Sequence, residues 1–379
     1  MAGKYWTKSL NPLKVAGGGY HCTKCSPGCD HCWAEGINLR NLRSTKGKVI
    51  TNGIPYDDRP VEFELNEKVL QQPFHWRTPQ VIFVCDLCDL FHEQVPFEFI
   101  DKVYAVAALC PQHTFQILTK RPERDYFKYI STGQVYCENR ALKGSTKTRI
   151  RHEALTLLWG GQQGLRPRLN MWDGRWPLLN VHNGVSVCNQ QETDEKIPTF
   201  LQVPGHLWLS IEPMLGPIKF EIDTGKTWPF RAESSKLLPL LGGAYSTRAD
   251  NPDGCRFQDI ATSRIEGVIV GGESGPGARP MHPDWVRSIR DQCAAAGVKF
   301  FFKQWGVWRE MAKPPARGYS GNYSKCRIVW PNGEGSCCRF KDEPETGYVW
   351  MERVTKKAAG RLLDGKEHNE LPWRLPEGS

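Results

Sequence analysis

No stretch of the 379-residue sequence approaches the roughly 18–20 consecutive apolar residues of a bilayer-crossing helix, so a membrane-spanning protein is not expected. The opening residues, Met1 to Trp6, contain no apolar run and no small-residue cleavage site, which argues against export. The G-x-S-x-G, Walker A, H-E-x-x-H and protein-kinase motifs are all missing, which removes those enzyme classes. No internal repeat, low-complexity tract or heptad is found. With hydrophobic residues at 40% and charged residues at 24%, the chain is not of the disordered class either.

What is present starts with size. A chain of 379 residues fits two to three domains of roughly 150 residues, or one barrel of about 250 residues with insertions. Lys+Arg 50 against Asp+Glu 41 leaves a net charge of +9, which permits an anionic partner without requiring one. Fourteen cysteines are many for a chain without an export signal. In a reducing compartment clustered thiols are better read as metal ligands than as disulfides. Fourteen tryptophans could serve as packing anchors or as flat surfaces for stacking a base or sugar.

Short apolar runs recur, each leading into a polar or Gly/Pro-containing segment: Val81–Val84, Thr114–Leu118, Val181–Val187, Leu207–Ile211, Val268–Val270 and Val298–Phe302, with a weaker one near Tyr5–Ser9. Such short, little-alternated runs are expected of strands buried on both faces of a parallel sheet. Helical patterns separate several of them. Phe97–Leu109 follows Pro96 and carries Ile100, Val103 and Ala107 at helical spacing. Asp284–Ala296 has Trp285, Ile289 and Cys293 on one face, with Gly297 as its stop. Val268 to Phe302 thus forms a βαβ unit, and repeated units predict an α/β fold, a (βα) barrel or a doubly wound sheet. Residues 132–178 and 222–264 read as insertions and 307–379 as a C-terminal extension on one unit spanning 1–306.

Four cysteines, Cys22, Cys25, Cys29 and Cys32, fall within eleven residues, in a loop expected at the C-terminal end of the first strand, where barrels hold their chemistry. Cys25, Cys29 and Cys32 are spaced C-x3-C-x2-C. Three thiolates leave one iron of a 4Fe–4S cluster without a protein ligand, open to the amino and carboxylate groups of S-adenosyl-L-methionine (SAM). All four could instead close a tetrahedral zinc site, though the three-residue spacer between the pairs is short for one. Unliganded thiols are the third reading.

The sequence resembles the phage-borne three-cysteine-motif family, a radical-SAM-like group. The resemblance is carried by Trp6–Pro12, Cys22-Thr23-Lys24, Ser26-Pro27-Gly28-Cys29, Cys32-Trp33-Ala34-Glu35, Asp89-Leu90-Phe91-His92 and Gln116–Pro122. Further matches are Gly184–Val187, Glu212–Pro217, Gly271–Gly275 and Phe302–Gly306, so it extends from about residue 5 to 306. The family pattern usually has an aliphatic residue where this chain has Cys25, making Cys22, Cys29 and Cys32 the equivalent triad. Either triad is available here. Cys85 and Cys88 stand where small polar residues are expected, as ordinary buried thiols or as a further redox or metal pair.

The resemblance implies a radical-SAM-type (βα) barrel, partial or full, with a 4Fe–4S cluster and SAM as cofactors and an external electron donor. Several strand ends supply candidate contacts. In radical SAM enzymes a Gly-Gly-Glu-like segment holds the SAM amino group, and Gly271, Gly272, Glu273 and Ser274 are such a segment after a late strand; a substrate contact or plain turn is the other reading. Lys120 and Arg121 suit a carboxylate or phosphate, or merely start a solvated helix. Glu212 could fix a ribose hydroxyl or an amine, or bond a loop. Lys303, Gln304 and Trp305 combine a cation, an amide and a stacking surface, adequate for a nucleobase or nucleotide phosphate. Asp86, Asp89 and His92 are acid–base candidates. A phage setting favours DNA or a modified nucleotide in the cytoplasm of an infected host. The expected activity is isomerisation of an amino-acid-modified thymidine during hypermodification that protects viral DNA from restriction. Repair of a base lesion is the alternative within that chemistry, and a non-catalytic zinc protein binding nucleic acid is the alternative outside it.

Overall fold

The computed structural model describes residues 4–122, 150, 153–154, 177–220, 265–311, 325–333 and 347–375. Nearly all of the two expected insertions, and part of the expected extension, lie outside these residues. Twelve strands are described: β1 (Lys8–Leu10), β2 (Leu13–Val15), β3 (Phe63–Leu65), β4 (Val81–Val84), β5 (Thr114–Thr119), β6 (Val181–Ser186), β7 (His206–Ile211), β8 (Ile265–Gly271), β9 (Lys299–Gln304), β10 (Trp308–Glu310), β11 (Cys326–Val329) and β12 (Val349–Arg353). Seven of them form one sheet in the order β1-β4-β5-β6-β7-β8-β9, and every pairing is parallel. The fold is mixed α/β, built on a curled, parallel, seven-stranded half-barrel. All seven strands coincide with the apolar runs of the sequence to within a few residues.

The curl follows from contacts across the sheet. Laid flat at about 4.8 Å per strand, β1 and β9 would stand roughly 29 Å apart. Tyr5, just before β1, instead lies with its ring 6.2 Å from Phe83 of β4, 6.0 Å from Trp208 of β7 and 5.9 Å from Phe301 of β9. Together with Trp373 these rings form an apolar cluster on the concave face. The convex face carries the alternate residues, among them Ile82, Ile117, Val185, Leu209, Val268 and Phe302, in the larger core beneath the helices. The helix Phe97–Ala108 buries Ile100, Val103 and Ala107, and Pro283–Ala296 buries Trp285, Ile289 and Cys293 and ends at Gly297 in the left-handed conformation (φ 66°), as the sequence pattern requires. Among the described residues no helix is long and apolar enough to cross a membrane.

Packing inside the curl is tight enough to dictate a glycine. A Cβ on Gly184 would lie 2.4 Å from Cε2 of Trp208, whose indole is fully buried and donates from Nε1 to the His182 carbonyl (3.2 Å). Gly184→Ala is therefore expected to destabilise the protein by about 1–3 kcal/mol through overpacking. Urea unfolding measures this, and Trp208→Leu in the same chain is expected to recover part of the loss, because neighbouring sites are not additive.

The C-terminal segment closes the structure rather than trailing from it. The Phe302 amide donates to His368 O (3.0 Å) and the Glu370 amide to Phe300 O (3.2 Å), which covers the free edge of β9. Trp373 then tucks beneath the barrel, its Nε1 donating to Tyr5 O (3.1 Å). Strands β10, β12 and β11 form a separate antiparallel sheet, and β2 pairs with β3.

Candidate active site

The concave face changes character along the strands. At the N-terminal ends it is aromatic; at the C-terminal ends its residues are Asp86, Lys120, Ser186, Ser210, Glu212, Glu273 and Lys303, around a cavity of about 370 Å³. Cys22 and Cys32 line the same cavity, so the cysteine loop lies over the mouth of the barrel, where parallel barrels place their chemistry.

The loop is held by local and distant contacts. Ser26 accepts from the Gly28 amide (3.1 Å) and Pro27 occupies the first position of a short 3₁₀ turn ending at Cys29, a cap-and-proline start. Gly28 lets this turn approach the strand ends: a Cβ there would lie 3.2 Å from Pro213 Cδ and 3.5 Å from Lys120 Nζ. Glu35, in the helix Trp33–Asn38, accepts from the Tyr56 amide (3.0 Å) and pairs with Lys24 (3.1 Å). Trp33 stands 54% exposed at the mouth, available as a flat stacking surface.

Two arginines clamp the loop from opposite sides. Arg121, 5% exposed, donates to Asp89 Oδ2 (3.1 Å), Glu93 (3.2 Å), Thr23 O (2.5 Å) and Cys22 Sγ (3.6 Å). Arg279 donates to both oxygens of Glu273 (2.8 and 3.0 Å), and also to Asp30 (3.0 Å) and Pro27 O (2.7 Å). Both clamps change expected roles. Arg121 binds the cysteine loop rather than an open anion site, and the Glu273 carboxylate is engaged by Arg279 rather than waiting for an ammonium. Arg279 gave no sequence signal beyond following a glycine-rich turn.

Glu212 and Lys303 form the polar centre of the cavity wall. Lys303 Nζ lies 3.0 Å from Glu212 Oε1, and Tyr5 Oη donates to Oε2 (3.1 Å). Lys303 follows Phe301 by two residues on the concave side of β9, and its Nζ lies over the rings of Tyr5 and Trp6. Gly271 makes room for Glu212, since a Cβ there would lie 2.5 Å from Oε1. Lys120 donates to Ser186 Oγ (2.8 Å). Neither Lys120 nor Lys356, which also lines the cavity, forms an ion pair among the described residues; set against the likewise unpaired Asp86 they leave a small positive surplus suited to a carboxylate or phosphate.

Other expected roles are corrected. Trp305 does not line the cavity; its indole packs on Phe302 and donates to Leu362 O (2.8 Å). Gln304 reaches the wall, but its amide donates to Gly272 O (2.7 Å) and accepts from the Gly306 amide. Gly272 and Ser274 line the cavity as expected. Asp89 is fully used by Phe91 N, Thr119 Oγ1, Lys120 N and Arg121, and His92 contacts Thr23 Oγ1 (2.9 Å) while burial lowers its pKa to about 4. His92 does not line the cavity, whereas Asp86 and Asp89 both do, and Asp86 accepts from Ser9 and Asn11. Cys85 and Cys88 also line the wall. Cys85 adopts the left-handed region (φ 56°), and its hydrogen bond with Cys88, together with burial, raises the Cys88 thiol.

The loop thiols differ in burial and in the charges around them. Cys29 is buried and its thiol is lowered by a hydrogen bond from Cys25 and by the nearby Lys120 and Arg121 charges. Burial raises Cys22, opposed by Arg121. A tetrahedral zinc ion with Zn–S of about 2.3 Å needs sulfurs roughly 3.8 Å apart. Among the described residues the loop thiols supply no three sulfurs within 4.8 Å of one another. A cluster takes its thiolates at separate corners and accommodates a wider set. Cys22 and Cys32 line the cavity; Cys25 and Cys29 do not, Cys25 being exposed and Cys29 buried.

These features define a parallel half-barrel with a clamped cysteine loop over a polar cavity at its C-terminal mouth. The chain belongs to the family described as protein of unknown function (DUF5131), which it matches over residues 5–372. No curated protein and no solved structure matches it.

Proposed function

We propose that this protein is a radical SAM enzyme of the phage three-cysteine-motif type, with Cys22, Cys29 and Cys32 as the ligands of a 4Fe–4S cluster. The observation that carries this reading is the position of Cys22 and Cys32 on the wall of a cavity at the C-terminal mouth of a parallel barrel. A cluster held by Cys22, Cys29 and Cys32 would, with SAM bound and an external one-electron donor, supply reductive cleavage of the sulfonium and hydrogen abstraction from substrate. The chain's own residues bind and exclude. Lys120 and Lys356 attract an anionic group, Glu212 offers a carboxylate oriented by Tyr5 and Lys303, and the aromatic layer below keeps water from the closed end. Arg121 and Arg279 fix the loop over the opening.

The proposed substrate is an amino-acid-modified thymidine in phage DNA, rearranged to an isomer. The exposed Trp33 and the unpaired cavity cations favour a stacked, anionic substrate over a neutral one. The test is anaerobic reconstitution with iron and sulfide. A brown protein absorbing near 400 nm that releases 5′-deoxyadenosine from SAM under reductant is the expected result. Colourless protein that never cleaves SAM would refute the reading. Mass spectrometry of nucleosides from phage DNA made with and without the gene is expected to show one modified thymidine replaced by a species of equal mass.

A further inference from the structure

We propose that His182, His206 and Glu266 form a binding site for a single divalent transition-metal ion of the zinc class, at the floor of the half-barrel opposite the cysteine loop. This inference stands independently of the proposed radical chemistry.

The site is assembled by three neighbouring strands. His182 of β6 and His206 of β7 are direct register partners on the concave face, their rings stacked at 4.7 Å with an interplanar angle of 21°. Glu266 joins them through an irregularity. Leu207 pairs with Ile265 and Trp208 with Gly267, so Glu266 is the extra residue at a register shift. Such a bulge re-aims a side chain that regular alternation would send to the other face. Its Oε1 lies 2.8 Å from His206 Nδ1. One ligating atom from each of the three residues falls within 4.8 Å of the others, and no other such trio occurs among the described residues.

The second observation is an orphaned atom. His182 is 7% exposed, and its Nδ1 has no hydrogen-bond partner. A buried polar nitrogen without a partner is costly, and a His206–Glu266 ion pair alone does nothing for it. A metal ion bound through Nδ1 would satisfy it, with the imidazoles turned out of their stacked arrangement so that both in-plane lone pairs meet the ion. Two imidazole nitrogens and one carboxylate oxygen are a donor set for zinc, cobalt or nickel rather than for calcium or magnesium, which prefer oxygen, and leave a fourth position for water. The 32% and 26% exposure of the His206 and Glu266 side chains gives the ion a path from solvent. The Tyr5–Phe83–Trp208–Phe301 layer separates the site from the cavity, so the ion acts as a tie between strands and not on substrate. The edge of Trp373, 5.3 Å from His182, brings the C-terminal segment against the same floor.

Chelator-treated full-length protein titrated with cobalt(II) tests the proposal. The wild type is expected to take up one equivalent more than His182→Gln or Glu266→Gln, and the difference spectrum to show weak visible bands without an intense thiolate band. Zinc is expected to raise the melting temperature of the wild type and to leave that of His182→Gln unchanged. Should these variants fail to fold, zinc-edge X-ray absorption of the loaded wild type serves instead. Scatterers at about 2.0 Å with an imidazole signature are expected, distinct from sulfur at about 2.3 Å. Equal cobalt uptake by wild type and folded variants, or a zinc shell of sulfur alone, would overturn the site.

Discussion

Serine at position 29 or 32 is expected to leave a protein that folds but holds no cluster and releases no 5′-deoxyadenosine, a loss of at least about a thousand-fold that reaches the assay background. Serine at position 22 is expected to do the same, and serine at position 25 to retain most of the iron and most of the cleavage. The asymmetry rests on position. Cys22 faces the cavity with Arg121 Nη1 3.6 Å from its sulfur, whereas Cys25 is exposed and off the wall. Iron and sulfide counts on the four variants, with SAM cleavage read by chromatography, decide it. Loss in Cys25→Ser with retention in Cys22→Ser would reassign the third ligand to the C-x3-C-x2-C triad.

Removal of the Arg121 charge is the second large effect. Arg121→Met leaves Asp89 as an uncompensated carboxylate, itself 6% exposed, and frees Thr23 O and Cys22 from their shared donor. Breaking a buried pair from one side costs about 3–5 kcal/mol, well above the roughly 0–1 kcal/mol of exposed pairs. Arg121→Lys is expected to recover only part, because an ammonium on a single stem cannot address the carboxylate, the carbonyl and the sulfur together. Denaturant unfolding gives the stability term, and iron retention after gel filtration reports on the loop. A loss below about 1 kcal/mol would place the guanidinium with ordinary solvated pairs.

The strands and the two long helices were legible because each is a short apolar run or a helical stripe bounded by Pro or Gly, and burial on both faces of the sheet selects such runs. The cysteine loop was legible because the spacing of four thiols has few other uses. Side-chain partners were not. Arg121, Glu273, Gln304 and Trp305 all stand at strand ends, as expected, yet three of these end on partners far away in sequence: Thr23 O, Gly272 O and Leu362 O. Glu266 reaches His206 only through a register shift, and that arises from how two strands meet in space rather than from any local pattern.

Tyr5 has one end in each half of the barrel. Its ring belongs to the aromatic floor while its hydroxyl donates to Glu212. Among the described residues the interior is therefore stoppered a single side chain below the polar groups that line the cavity. In the proposed reaction substrate and product would share the mouth beside Trp33, so a product slow to depart would hold off the next arrival.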